Sequence, residues 1–92
     1  MKLLVQGGQT NDRFELLLQL TRLASEDVIE ALRDHLVRGM TTANAAGVNG
    51  IEQSALTRAL KTLEKQAAVV ESIKVIDWRH LQQLTVNSTE NS

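Results

Sequence analysis

Hydrogen-bonding side chains cluster near the start of one candidate helix. They belong to Gln53, Ser54, Thr57, Arg58 and Lys61. The apolar residues among them recur at helical spacing and should face a core, which leaves the polar ones exposed. Glutamine can pair with adenine through two hydrogen bonds and arginine with guanine, and hydroxyls can reach a phosphate or a thymine methyl group. This set of side chains therefore suits the recognition of duplex DNA.

The element that must position these side chains is a pair of helices joined by a tight turn. The first helix is predicted from about Thr42 to Val48. The turn is Asn49–Ile51, and the second helix is predicted to begin near Glu52. Gly50 lies four residues after Ala46, where a helix-turn-helix needs a glycine in its turn. The layout matches that of a DNA-reading helix-turn-helix. An antiparallel helix pair that binds nothing has the same spacing, and this alternative remains open.

The rest of the chain predicts an all-α fold of about five helices. Residues 1–10 are expected to form a flexible arm, residues 11–84 the helical domain, and residues 85–92 a disordered tail. Within the domain, the first helix is expected to carry an apolar stripe of Leu16, Leu20 and Leu23, which Phe14 and Leu17 widen. The last of the five is a short helix expected from Trp78 to Leu84.

A chain of 92 residues without cysteine has few means of stabilising itself. Disulfides and a cysteine-ligated zinc are excluded, so oligomerisation remains as the common means, and we expect a homodimer. Beyond Leu63 the second helix carries more apolar surface than a small domain needs, which is typical of a subunit interface. For Trp78, closure of the monomer core is an equal alternative. The candidate interface residues are Val69, Val70, Ile73, Ile76 and Trp78.

Composition bounds the remaining function classes. The formal net charge of −1 neither supports nor excludes DNA as a partner. The sequence holds no catalytic constellation and no metal-ligand cluster, so we expect no enzyme activity, no metal and no other cofactor or small-molecule substrate. No signal peptide and no apolar run of about 20 residues is evident, so we expect no membrane association and a cytoplasmic location.

A resemblance to known regulators runs from residue 29 to residue 63. The chain resembles the KorA/TrfB-type plasmid repressors and the related PapB-type regulators of fimbrial operons. Both sets share the order of a helix, a Leu-Val-x-Gly segment, a small-residue helix and a glycine turn. The segments that carry the resemblance are Ala31–Arg33, Leu36–Gly39, Ala43–Ala46, Gly50–Ile51 and Ala55–Leu60.

The resemblance implies a helical homodimer that binds an inverted-repeat operator and represses plasmid or fimbrial genes. The positions that match the base readers of the KorA type are Gln53 and Arg58. Ser54 and Thr57 are expected to assist them. The expected phosphate contacts are Thr41, Thr42, Asn44 and Lys61.

Two rival classes remain at this stage. A dimeric helical protein could serve as a protein–protein interaction module, or as a plasmid maintenance or conjugation accessory that binds DNA without repressing.

Overall fold

The computed structural model describes residues 3–90, and every regular element in this range is a helix. The elements are α1 (Asn11–Gln19), α2 (Glu26–Leu36), α3 (Thr42–Val48) and α4 (Gln53–Glu90). The all-α class is confirmed, but four helices replace the expected five. A separate helix beginning at Trp78 was wrong, because α4 contains no glycine or proline and Asp77 continues the helix rather than capping a new one.

The core joins all four helices. α1 contributes Phe14 and Leu17, and the largest fully buried side chains of α2 and α4 are those of Leu32, Leu36, Leu56 and Leu63. Burying a side chain of this size contributes about 1.5–3 kcal/mol relative to leaving it exposed. α3 adds only alanines to the core, and their small size lets α3 lie close to α2 and α4.

The apolar stripe predicted for α1 was partly wrong. Phe14 and Leu17 form its buried face, whereas Leu16 and Leu20 are 62% and 51% exposed. Leu20 also lies just past the last residue of the helix, Gln19. The sequence of α1 is apolar around more of its circumference than one core face can use, so periodicity alone did not identify the buried side.

The N-terminal segment, residues 3–10, packs against the helices, where a flexible arm was expected. Leu4 is buried, and the backbone N–H groups of Leu3 and Leu4 donate to the carboxylate of Glu64 in α4. The N–H of Gly7 donates to the carbonyl of His35 at 2.9 Å. These hydrogen bonds join residues far apart in sequence. Local composition carries no sign of them, so it predicted a mobile segment. Residues 1 and 2 of the expected arm lie outside the described residues.

The far half of α4 projects from the body of the protein. The molecule measures 62 × 23 × 22 Å, and its long dimension matches the roughly 57 Å expected of a 38-residue helix. Every side chain from Ser72 to Leu84 is exposed. We call residues 72–84 the α4 arm. The backbone of α4 stays helical as far as Glu90, where a disordered tail was expected, and residues 91 and 92 lie outside the described range.

Within residues 3–90, none of the helices is both long enough and apolar enough to cross a membrane. The same residues contain no cluster of three or more histidines or carboxylates suited to a metal ion.

Candidate nucleic-acid interface

α3 and α4 meet through a compact turn that ends at Ile51. Gly50 has a φ of +67°, a conformation that a side chain would strain, and its N–H donates to the carbonyl of Gly47 at 3.2 Å. The N–H of Ile51 donates to the carbonyl of Ala46 at 3.0 Å, while its side chain packs against the core. The observed α4 begins at Gln53, one residue after the predicted start. The two helices therefore have the predicted helix-turn-helix arrangement.

The first turns of α4 separate cleanly into a buried and an exposed side. Leu56, Ala59 and Leu63 are buried. The five α4 side chains predicted to read or hold DNA are all exposed, and Ser54, Thr57, Arg58 and Lys61 share one face at i, i+3, i+4 and i+7. The structure thus brings the predicted set together on the outer surface of α4.

The polar side chains on this face differ in how far they are already engaged. The side-chain amide of Gln53 donates to Oγ1 of Thr42 at 3.0 Å, and the hydroxyl of Thr57 donates to the carbonyl of Gln53 at 3.0 Å. Ser54 has only a long contact of 3.4 Å to Glu52. Arg58 has no side-chain hydrogen bond or ion pair to any residue that the structure describes. Its guanidinium is therefore available to a ligand.

The three α3 candidates lie at or near the start of that helix. Thr41 is its N-cap, with Oγ1 accepting the N–H of Asn44 at 3.1 Å. Thr42 accepts from Gln53, as described above, and the side chain of Asn44 is exposed. Each threonine uses its oxygen as an acceptor in these bonds, so each hydroxyl hydrogen remains able to donate.

Two features of the surface were missed by sequence reasoning. Lys65 is exposed four residues after Lys61 and extends the same face of α4; helical spacing alone could have found it. Beside this face lies a groove of about 430 Å³ between the N-terminal segment and α4. No local pattern could reveal that groove, because it depends on the packing of the N-terminal segment. Its lining includes Val5, Gln6, His35, Thr42, Thr57 and Lys61.

A buried carboxylate fastens the turn to α2. Asp34 is only 7% exposed, and it accepts a hydrogen bond from the side-chain amide of Asn49 at 2.8 Å and another from the guanidinium of Arg38. The hydrogen bond from Asn49, followed by that from Arg38, holds the pKa of Asp34 below its ordinary value. Because Asn49 also donates to the carbonyl of Ala45, this cluster fixes the end of α3 and thereby the direction in which α4 starts.

The pKa shift makes stability depend on pH. The folded pKa of Asp34 is lower than the unfolded one, so its contribution is complete above the unfolded value of about 3.9 and is lost as the pH falls through the folded value. Asp34→Asn is expected to lower the free energy of unfolding at pH 7 by about 1–3 kcal/mol, and the loss should shrink in acid. Urea unfolding at several pH values would measure it, with Asp77→Asn, an exposed carboxylate, as the control. An equal loss at all pH values would contradict this role.

The candidate interface residues lie on the α4 arm and just before it. Val69, Ile73, Ile76 and Trp78 are each at least half exposed, and Val70 is partly buried against the core. The alternative that Trp78 closes the monomer core was wrong, because 62% of its surface is exposed. These residues form apolar surface outside the body of the protein, where their burial requires another molecule.

The fold and the site define a class: a small all-α protein in which α3 and α4 form a helix-turn-helix unit with a polar outer face. The family profile described as "PapB: Adhesin biosynthesis transcription regulatory protein" matches residues 1–76. The chain therefore belongs to the PapB family of transcription regulatory proteins. This confirms the PapB part of the resemblance seen in the sequence.

Two relatives agree with this assignment. The chain is 36% identical over 65 residues to the F1845 adhesin operon regulatory protein of Escherichia coli, covering 70% of this chain and 76% of that protein. Its fold is similar to the crystal structure of E. coli FocB, with a TM-score of 0.75, 22% identity and coverage of 79% of this chain and 83% of FocB. At that identity the likeness to FocB supports the all-α fold alone.

Proposed function

We propose that the chain is a DNA-binding regulator of a fimbrial operon, acting as a homodimer on an inverted-repeat operator. The observation that carries the proposal is the exposed polar face at the start of α4, which α3 and the glycine turn hold away from the core. Membership of a transcription regulatory family supports the regulatory role, and the relative named for an adhesin operon supports the kind of gene controlled.

Base reading is assigned to the first two turns of α4. Arg58 is exposed and unpaired, so its guanidinium can form two hydrogen bonds to guanine O6 and N7 without breaking a bond within the described chain. Gln53 already uses one of its two amide hydrogens in the bond to Oγ1 of Thr42, which constrains how its amide can approach adenine. Ser54 and Thr57 lie between them on the surface and supply secondary contacts. Arg58 is therefore the stronger candidate for base discrimination.

Phosphate contacts are assigned to the residues that flank this face. Thr41, Thr42 and Asn44 offer hydroxyl and amide donors from α3, and Lys61 offers an ammonium group from α4. Lys65 extends the row of cations. Such contacts set the register of the protein on the duplex and carry no sequence information.

Local charge favours this assignment more than the net charge of −1 suggests. Many of the acidic residues of the chain are engaged elsewhere: Glu30 and Asp34 bind arginines within α2 and the residues after it. Glu64 lies near Lys61 in sequence, but its carboxylate is turned to the N-terminal segment, where it accepts two backbone N–H groups. Arg58, Lys61 and Lys65 therefore outnumber the exposed Glu52 on and beside this face.

Dimerisation completes the mechanism. Two recognition helices must lie about 34 Å apart, one turn of the duplex, to read two half-sites. The α4 arm continues the recognition helix directly, so a contact between two arms would fix the spacing of the two reading faces. If the operator overlaps a promoter, the bound dimer represses by excluding the polymerase.

Arg58→Ala is expected to weaken binding to the specific operator by about 1–3 kcal/mol and to relax the preference at one base pair. The physical reason is the loss of two hydrogen bonds to one guanine. Selection of bound duplexes from a random pool would supply the half-site, and fluorescence anisotropy on that site and on its single-base variants would measure the change.

Two variants provide the comparison for Arg58. Lys61→Ala should weaken binding to all sequences alike and lower the salt slope by about one. Arg22→Ala removes an exposed arginine from the loop between α1 and α2, away from the reading face and the α4 arm, and should leave DNA affinity unchanged. If Arg58→Ala weakens binding to the specific and to random duplex equally, Arg58 is a phosphate contact. If the unmodified chain binds no duplex at low salt, a protein–protein interaction module becomes the better supported function.

A further inference from the structure

The side of the α4 arm that carries Trp78 is the side that faces α1 further back along the helix. Ala67, Glu71, Lys74 and Trp78 follow at intervals of four, three and four residues, which places them on one face. Ala67 is buried in the core, and Glu71 forms an ion pair with Arg13 of α1 at 3.2 Å. Trp78 therefore continues the α1-facing side of α4 one turn beyond Lys74.

An apolar groove opens on this side between α1 and α4. It has a volume of about 190 Å³. Its lining includes the buried Leu17, the partly buried Val70, and the exposed Leu16 and Leu20. Arg13 of α1 and Lys74 of α4 also line it. The groove is thus formed by the leucines that were expected in the core and are instead exposed.

Trp78 does not line the groove of its own chain, and 62% of its surface is exposed. It is eight residues beyond Val70 on a continuous helix, a separation of roughly 12 Å along the axis. In a two-fold contact of antiparallel arms centred near Lys74, however, Val70 of one chain lies opposite Trp78 of the partner subunit. The same operation places the second groove opposite the first tryptophan, as an isologous interface requires.

We propose that Trp78 of each protomer fills the α1–α4 groove of its partner, so that α1 is part of the dimer interface. This inference rests on the proposed dimer and adds to it a specific occupant for the groove. A tryptophan buries about 150–250 Å², and the groove that receives it buries a similar area. Together these contacts supply about half of the roughly 800 Å² per partner that a stable interface needs. The rest of the arm supplies the remainder.

The single tryptophan and the absence of cysteine allow a test that reads contacts between chains alone. One chain carries Trp78→Phe and Gln19→Cys, with a nitroxide quencher attached to the thiol beside the groove. The other chain is unmodified, so every photon of tryptophan emission comes from it. After the two are mixed and allowed to exchange, we expect strong loss of emission, because the unmodified Trp78 enters the labelled groove.

The control carries its quencher through Asn44→Cys, an exposed position on α3, and should leave the emission unchanged. Adding Leu16→Asp to the chain labelled at position 19 should abolish the quenching. In addition, Trp78→Ala should raise the dimer dissociation constant by about 30-fold or more, as for an interface hot spot.

The possible failures are distinguishable by measuring mass through light scattering on the same samples. A dimer whose tryptophan is not quenched by the label at position 19 overturns the groove assignment and leaves the proposed dimer standing. A chain that stays monomeric at all concentrations overturns the dimer itself. Quenching of equal strength from positions 19 and 44 also overturns the assignment, because it would indicate contact without a defined site.

Discussion

Leu56→Ala is expected to lower the free energy of unfolding by about 2–5 kcal/mol, the range for a leucine removed from a packed core. Leu56 has no exposed surface and is the first fully buried side chain of α4. It lies between residues of the proposed reading face, so it is the side chain that holds this face on the body. A domain of this size has a total stability of roughly 5–15 kcal/mol, so the change would remove a large part of it.

The measurement is urea unfolding followed by far-UV circular dichroism at a fixed protomer concentration, since dimerisation makes stability depend on concentration. Val48→Ala is the control: Val48 is 71% exposed at the end of α3, and its truncation should change the free energy by less than about 0.5 kcal/mol. A loss of under 1 kcal/mol for Leu56→Ala would contradict the proposed anchoring of α4. DNA affinity, measured where the variant remains folded, should fall as well.

Local rules predicted the helix-turn-helix because each of its parts is local. Gly50 adopts the positive φ that its type and position suggested, and Ile51 packs beneath the turn. The buried side of the first turns of α4 follows from periodicity alone, since Leu56 and Leu63 face the core as spacing requires. The candidate site residues occupy the helix positions that this buried pattern leaves exposed. The sequence was therefore sufficient to place them together on one surface.

Contacts between distant segments were beyond the sequence. The N-terminal segment packs because Glu64, about sixty residues away, accepts its N–H groups. An added Cβ at Gly7 would lie 3.2 Å from the Cα of Gly39, so this close approach depends on two glycines that no spacing rule connects. Asp34 and Arg38 are four residues apart, which helical spacing can pair, but the second bond to Asp34, from Asn49, is visible only in three dimensions.

The length of α4 was misjudged for a different reason. Asp77 resembles a helix cap by residue type, but aspartate caps a helix only where the preceding backbone is not helical. The preceding residues contain no glycine or proline, so nothing in them ends the helix and it continues through Asp77. One continuous helix connects the reading face to the arm, which makes the proposed dimer spacing a property of a single rigid element.

Because one rigid helix joins the reading face to the proposed interface, a substitution in the arm should have the largest effect on DNA binding. Trp78→Asp should leave the chain monomeric and lower its affinity for the full operator by about 10²–10⁴-fold, because the second half-site would no longer be bound intramolecularly. The body should stay folded, since Trp78 lies on the exposed arm. Light scattering would measure the mass, and anisotropy the binding to the full operator and to a single half-site. Ala24→Asp adds the same charge at an exposed position of the loop between α1 and α2, away from the α4 arm, and should change neither quantity. The monomeric variant should bind the single half-site with the same affinity as the unmodified chain, because its reading face is intact. Unchanged mass together with unchanged operator affinity would exclude Trp78 from the interface, whereas weaker half-site binding would indicate that the substitution disturbs the reading face itself.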